Sequence, residues 1–207
     1  GMRPLEYMKD VGWLGQDIWF AHGIHFNQEE LAELAATGTG IAHCPVSNQK
    51  LSSGTAQIPA MLKLGIPVGL AVDGSASNDG SNMLAELKAA LLIAKLTWGI
   101  DSLSARDVLA IATRGGASLL GRKDIGSLAP GKAADMFLVR ADSLDYGGCS
   151  DPITALITCG SSKTVDTTIV NGRVVVRDGT LLSMEEGEIA GMGNAAAREL
   201  IAKAGIA

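Results

Sequence analysis

Three short apolar runs early in the chain each lead into a residue with chemical capability: IWFA precedes His22, GIA precedes His43, and VGLAV precedes Asp73. A neutral imidazole donates, accepts or ligates near neutral pH, and a carboxylate binds a divalent cation or takes a proton from water. If the runs are neighbouring parallel strands, their ends share one edge, which is where α/β sheets and barrels place their active sites. A lone histidine at a strand end is ordinarily just a satisfied polar residue; three adjacent ends of this kind point to chemistry. The chain's only histidines are 22, 25 and 43. Together with Asp73 they would supply the ligands a zinc ion wants, but residues three apart on an extended chain face opposite sides. His22 and His25 could therefore meet on one ion only if the strand broke at Gly23, and His25 is expected to turn into its loop instead.

The elements that must position these residues follow from the hydrophobic pattern. Between Asp17 and Gly121, apolar runs at Ile18–His22, Gly40–Cys44 and Val68–Asp73 alternate with amphipathic stretches, as βα units of a parallel sheet do. Gln28–Thr37 follows Asn27 and carries leucines at 31 and 34, while Ile58–Leu64 precedes Gly65; both read as crossover helices. Ser81–Trp98 and Ser104–Leu120 are longer Ala- and Leu-rich helical patterns opened by serine caps. Beyond Arg122 the texture changes to Gly/Pro punctuation and β-type segments at Ala134–Val139, Thr164–Val170 and Arg173–Arg177. Asn171-Gly172 between the last two is a strong hairpin signal, and Glu188–Ala204 reads as a closing helix.

Composition narrows the function classes. The 207 residues are 47% hydrophobic and 19% charged, enough apolar material for one substantial core or two small ones and too much for a disordered chain. A net charge of −5 lacks the basic excess that neutralises phosphates, so nucleic acid is not an expected partner. Apolar runs such as Ile66–Val72 and Ala89–Ala94 fall far short of the roughly 20 residues that cross a bilayer, and no membrane partner is expected. The first ten residues carry no apolar stretch of the signal-peptide kind, which favours the cytoplasm, and Gly1 ahead of Met2 resembles a tag remnant. Cys44, Cys149 and Cys159 are odd in number and widely spaced, suggesting buried thiols rather than a disulfide or metal framework.

One apparent motif dissolves on inspection. Gly126–Lys132 matches GxxxxGK, but Ala133 stands where a phosphate loop needs Ser or Thr, Pro130 removes an N–H donor, and ADMFLV reads as strand where a helix should follow. It is expected to be a structural turn. The scattered Trp and Met residues read as core.

AHGIH (21–25), AHCPVSN (42–48), GLAVDGSASND (69–79) and SLAPGKAADMFLV (127–139), in this order, resemble the C-terminal half of the amidohydrolase superfamily. They are most similar to its branch of 8-oxoguanine deaminases, guanine-type deaminases and triazine hydrolases. The resemblance implies an α/β fold: a partial TIM-like (β/α) barrel comprising the last three βα units over residues 2–122. A small β-sandwich portion with a C-terminal helix would follow over residues 123–207. It implies a hydrolase acting on carbon–nitrogen bonds other than peptide bonds, a deaminase of a purine-like or triazine-like ring in which a divalent metal, Zn or Fe, activates water.

By that resemblance His22 and Asp73 are catalytic residues, with Asp73 also the metal ligand, and His43, Asn48, Ser77 and Asn78 form or support the substrate pocket. The family's His-x-His pair, a further metal-binding His and a proton-shuttling Glu would precede Met2. The chain is therefore expected to be inactive alone and to bind metal weakly. An alternative is a non-catalytic assembly module or one piece of a split enzyme. Unpaired sheet edges would make the chain a homodimer or larger homo-oligomer, and the substrate of the intact enzyme would be a small heterocyclic amine.

Overall fold

The structure is a computed structural model describing residues 1–205. Its sheet-forming segments separate into two units, one of residues Gly1–Lys132 with Ala141–Ser162, the other of Ala133–Arg140 with the residues from Lys163 onward. This division differs from the compositional boundary expected at Arg122: residues 123–132 and 141–162 belong with the first unit.

The first unit opens with α1 (Pro4–Asp10), β1 (Trp19–Ala21), α2 (Gln28–Thr37), β2 (Gly40–His43), α3 (Pro45–Lys50), α4 (Ile58–Lys63) and β3 (Val68–Leu70). It continues through α5 (Met83–Trp98), α6 (Ala105–Ala110), a π-helical turn (Ile111–Gly115) and α7 (Gly116–Leu119). The strands pair in the order β1-β2-β3, all parallel, with Phe20 opposite Ile41 and Ile41 opposite Val68. The ladder runs one step beyond the strands, since the His22 amide donates to the Ala42 carbonyl at 2.9 Å and the Ala71 amide to His43 at 2.8 Å. Every residue of β2 is buried, as a central parallel strand covered on both faces requires. Leu31 and Leu34 of α2, Met61 of α4, Leu87 and Leu91 of α5 and Val108 of α6 complete the core with Ile41 and Val68.

Local chemistry sets the helix ends. The Asn27 side chain accepts from the Glu30 amide at 2.9 Å while Glu30 accepts from the Asn27 amide at 2.8 Å, and Gly38 closes α2 in the left-handed region with φ 73°. Glu30 also receives Arg3 at 2.6 and 2.8 Å, which ties α1 to α2 and holds the Glu30 carboxyl below its ordinary range. Helices α1, α3 and later α8 (Pro152–Cys159) were not anticipated from the sequence. Each is eight residues or shorter and each has proline in its first turn, the one local signal that marks them.

The expected helix Ser104–Leu120 forms, with Ser104 as its cap, but contains the π turn. The extra residue lets Gly115 lie against the sheet: a Cβ there would meet the Val68 carbonyl oxygen at 2.0 Å.

In the second unit β4 (Met136–Val139) pairs antiparallel with β5 (Val165–Val170), β5 with β6 (Arg173–Arg177), and β6 with the short β7 (Thr180–Leu181). The Asn171-Gly172 hairpin is present with φ of 48° and 77°, the left-handed pair that a tight β-turn of this twist needs. Helix α9 (Glu186–Ala204) closes the unit. The GxxxxGK segment is a turn that leads towards β4, with the Lys132 ammonium donating to the Ile125 carbonyl at 3.2 Å. Among the described residues no helix is long and apolar enough to cross a membrane.

Gly115→Ala is expected to lower stability by about 2 kcal/mol or more through overpacking against β3. An exposed helical glycine would instead gain about 1 kcal/mol from the same change. The sign of the shift in the urea-unfolding midpoint checks the close approach.

Candidate active site

The parallel register brings the ends of β1, β2 and β3 to one level, and the polar residues that follow them meet there. Both His22 and Asp73 leave their strands with left-handed backbones, φ 67° and 66°, which re-aims each side chain at the point where pairing stops. The His22 Nε2 lies 3.7 Å from Asp73 Oδ2, and its Nδ1 lies 2.8 Å from Asn48 Oδ1. With the Asn48 amide oxygen facing it, Nδ1 is the donor of this hydrogen bond. Asp73 is held in turn by three donors: Ser47 Oγ to Oδ2 at 2.6 Å, Ser77 Oγ to Oδ2 at 2.9 Å, and the Gly74 amide to Oδ1 at 2.7 Å. These hydrogen bonds, Ser47's first, depress its carboxyl to about 2, so Asp73 is ionised throughout the neutral range.

Asn48 and Ser47 reach this point because α3 begins immediately after β2, so its first turn projects both towards the strand ends. Asn78 is turned inward and buried, donating from Nδ2 to the Val72 carbonyl at 2.6 Å and to Glu86 Oε1 at 2.5 Å. Of the residues expected from the sequence, His22 is hydrogen-bonded to Asn48 and Asp73 to Ser77, the two pairs meeting across the 3.7 Å His22–Asp73 contact, and Asn78 holds the backbone at Val72 beside them. His43 lies buried at the end of β2, 3% exposed, with Nδ1 unpartnered among the described residues, as is Asn48 Nδ2. Burial foremost, and the neighbouring His22, push the His43 imidazole down to about 4. His25 is exposed; its carbonyl accepts from Arg3 at 3.0 Å, in keeping with the expected turn into the loop.

Two members of the cluster carried no signal that drew attention beforehand. Ser47 lies within the AHCPVSN segment, where Asn48 was singled out instead. Glu86, fully buried on α5, accepts from the Val46 amide at 3.1 Å and from Asn78; burial raises its carboxyl while these donors pull it back. Among the expected buried thiols only Cys44 is buried, its thiol pushed up to about 11 chiefly by burial, whereas Cys149 and Cys159 are exposed.

The donors fit a divalent ion in kind: an ionised carboxylate oxygen and an imidazole nitrogen suit zinc and its neighbours. They supply only part of a coordination shell. Among the described residues no group of three or more His, Cys, Asp or Glu side chains is placed to hold a metal.

An acid and an imidazole following β3 and β1, the two outer strands of one parallel sheet, lie at the strand-end edge where α/β folds place their sites. The chain belongs to the amidohydrolase family, whose sequence model matches residues 1–175. It is 46% identical over 202 residues to 8-oxoguanine deaminase of Pseudomonas aeruginosa, covering 98% of this chain and 45% of that protein. It is 40% identical over 205 residues to hydroxydechloroatrazine ethylaminohydrolase of Pseudomonas sp. strain ADP, covering 97% and 43%. The zinc complex of atrazine chlorohydrolase from Arthrobacter aurescens TC1 superposes with a TM-score of 0.88 at 37% identity, over 94% of this chain and 44% of that one. The chain thus spans less than half the length of the relatives it matches.

His43 generates a pH prediction. Its folded-state value near 4 lies below the ordinary 6.5, so between those limits the unfolded chain binds a proton that the folded chain does not. Stability therefore falls as pH drops through this window, by about 2 kcal/mol between pH 7 and pH 5. Urea unfolding at the two pH values should show that slope in the wild type and its loss in His43→Gln.

Proposed function

We propose that this chain supplies one side of the active site of a metal-dependent hydrolase acting on carbon–nitrogen bonds other than peptide bonds, with a purine-like or triazine-like ring amine as substrate. The observation that carries the reading is the His22–Asp73 pair, clamped by Asn48, Ser47 and Ser77 at the ends of parallel strands. The relatives support it, since their names describe deamination and aminohydrolysis of heterocycles. On this reading residues 2–122 are the last three βα units of a (β/α) barrel, and the later β-rich part is a portion of a companion sandwich.

Asp73 would hold the metal through its carboxylate and accept a proton from the attacking water, for which its ionised state suits it. His22, its ring fixed by Asn48, would stand beside the oxygen that gains charge when the ring carbon becomes tetrahedral. Ser77 and Ser47 keep the carboxylate oriented, and His43, neutral at physiological pH, would contribute an uncharged wall to the substrate pocket. A divalent ion such as zinc or iron supplies Lewis-acid activation of water at neutral pH. The remaining metal donors must come from outside the described residues.

The isolated chain is therefore expected to bind zinc only weakly and to release no ammonia from 8-oxopurine or amino-triazine substrates. Joined to a segment that provides the other donors, it should gain both, and Asp73→Ala should then lower turnover by a factor of about 1,000 or more. Elemental analysis and an ammonia assay check this; stoichiometric zinc on the isolated chain, lost in Asp73→Ala, would show that the site is complete without further donors.

A second reading, an assembly module, is favoured by one observation. In the order β1-β2-β3 both outer strands present an open edge among the described residues, and the tryptophans, expected in the core, are exposed: Trp13 and Trp19, before and in β1, by 60% and 45%. Sedimentation is expected to show a homodimer or larger species, and Trp19→Lys is expected to shift it towards monomer.

A further inference from the structure

Glu86 is a carboxylate with no exposed surface and, among the described residues, no cation bonded to it. Taking such a group out of water is unfavourable unless its oxygens are satisfied, so the partners it has chosen are informative. There are two, and they belong to different walls of the candidate site. Oε2 accepts from the amide of Val46, in the first turn of α3. Oε1 accepts from the side chain of Asn78, which also grips the carbonyl of Val72, the residue before Asp73.

The first partner fills a gap. Helix α3 follows Cys44, whose side chain makes no cap hydrogen bond, so its early amides need an acceptor from elsewhere. Glu86, forty positions later in the sequence and on another helix, supplies it. The same short helix carries Ser47, bonded to Asp73, and Asn48, bonded to His22. The second partner fixes the backbone from which Asp73 projects. One carboxylate therefore sets the spacing between the helix that holds His22 and the loop that presents Asp73.

We propose that Glu86 is a positioning residue for the His22–Asp73 pair: it caps α3 in trans and tethers the Asp73 loop through Asn78, so that the two site residues face each other at a fixed distance. The role as a positioning residue for catalysis rests on the hydrolase reading above; the brace itself does not.

The test exploits donor and acceptor identity. Gln at position 86 keeps shape and volume but offers one acceptor to two donors, and its own NH2 must confront an N–H, so one arm has to break. Nuclear magnetic resonance of the isolated chain would follow the His22 ring N–H and the exchange rate of the Val46 amide. In the wild type the ring proton, held by Asn48, should give a distinct signal and the amide should be protected. Glu86→Gln should lose the ring signal and at least tenfold of the amide protection while the chain remains folded. Leu87→Ala, a cavity at the next position of α5, should lose stability and keep both.

Retention of the His22 signal in Glu86→Gln would overturn the proposal, as would its loss in Leu87→Ala, which would make the effect one of general loosening. If Glu86→Gln does not fold, Asn78→Ala removes the second arm alone: the Val46 amide should stay protected while the Gly74 amide, bonded to Asp73, loses at least tenfold of its protection, and an unchanged Gly74 amide would overturn the proposal. Because none of these readouts involves metal or turnover, a failed brace and a failed hydrolase assignment give different results.

Discussion

Parallel pairing is the constraint on which the site depends. Strands that run the same way must end on the same side, and each must be followed by a crossover long enough to return, so the residues after successive strands are gathered although they lie far apart in sequence. Here the pairing of β1, β2 and β3 delivers His22, Ser47, Asn48 and Asp73 to one edge, from positions spread over some fifty residues. The hydrophobic work is done below, where Ile41 and Val68 are buried together with leucines of α2 and α5. The buried faces fix the register, and the register fixes which polar groups can meet.

At that edge the polar groups hold one another in place. Asp73 is kept ionised by hydroxyl and amide donors, with no Lys or Arg in hydrogen-bonding contact among the described residues, so its charge is available to something else. His22 has one nitrogen committed to Asn48 and the other turned to the carboxylate. Orientation by a second layer of hydrogen bonds is how reactive groups are held within a fraction of an ångström, since a side chain left to its rotamers would sample positions too widely for chemistry. Two buried atoms, His43 Nδ1 and Asn48 Nδ2, have no partner among the described residues, which is where a functional site commonly keeps its unspent hydrogen bonds.

Much of this arrangement was legible beforehand. The strand runs, the crossover helices, the Asn27 and Ser104 caps and the Asn171-Gly172 hairpin all carry local signals, and the structure follows them within a few residues. What escaped notice depends on long-range context. Helices α1, α3 and α8 are too short for periodicity to register. Glu86 reads as an ordinary surface acid of a helical first turn, and only packing shows that α5 faces inward there. Asn78 belongs to a segment expected to line the pocket, yet its amide is spent on Val72 and Glu86, a distinction between touching a ligand and holding what touches it that spacing alone does not make.

The left-handed backbones of His22 and Asp73 have a consequence for how the sequence can drift. An L-residue in that region carries about 1 kcal/mol of strain that glycine escapes, and β-branched side chains fit there worst. At both positions, then, the substitution most forgiving to the backbone is the one that deletes the functional group. If, on the hydrolase reading, selection on these two side chains relaxes, glycine and asparagine should accumulate at 22 and 73 ahead of other residues, and the fold should outlast their role.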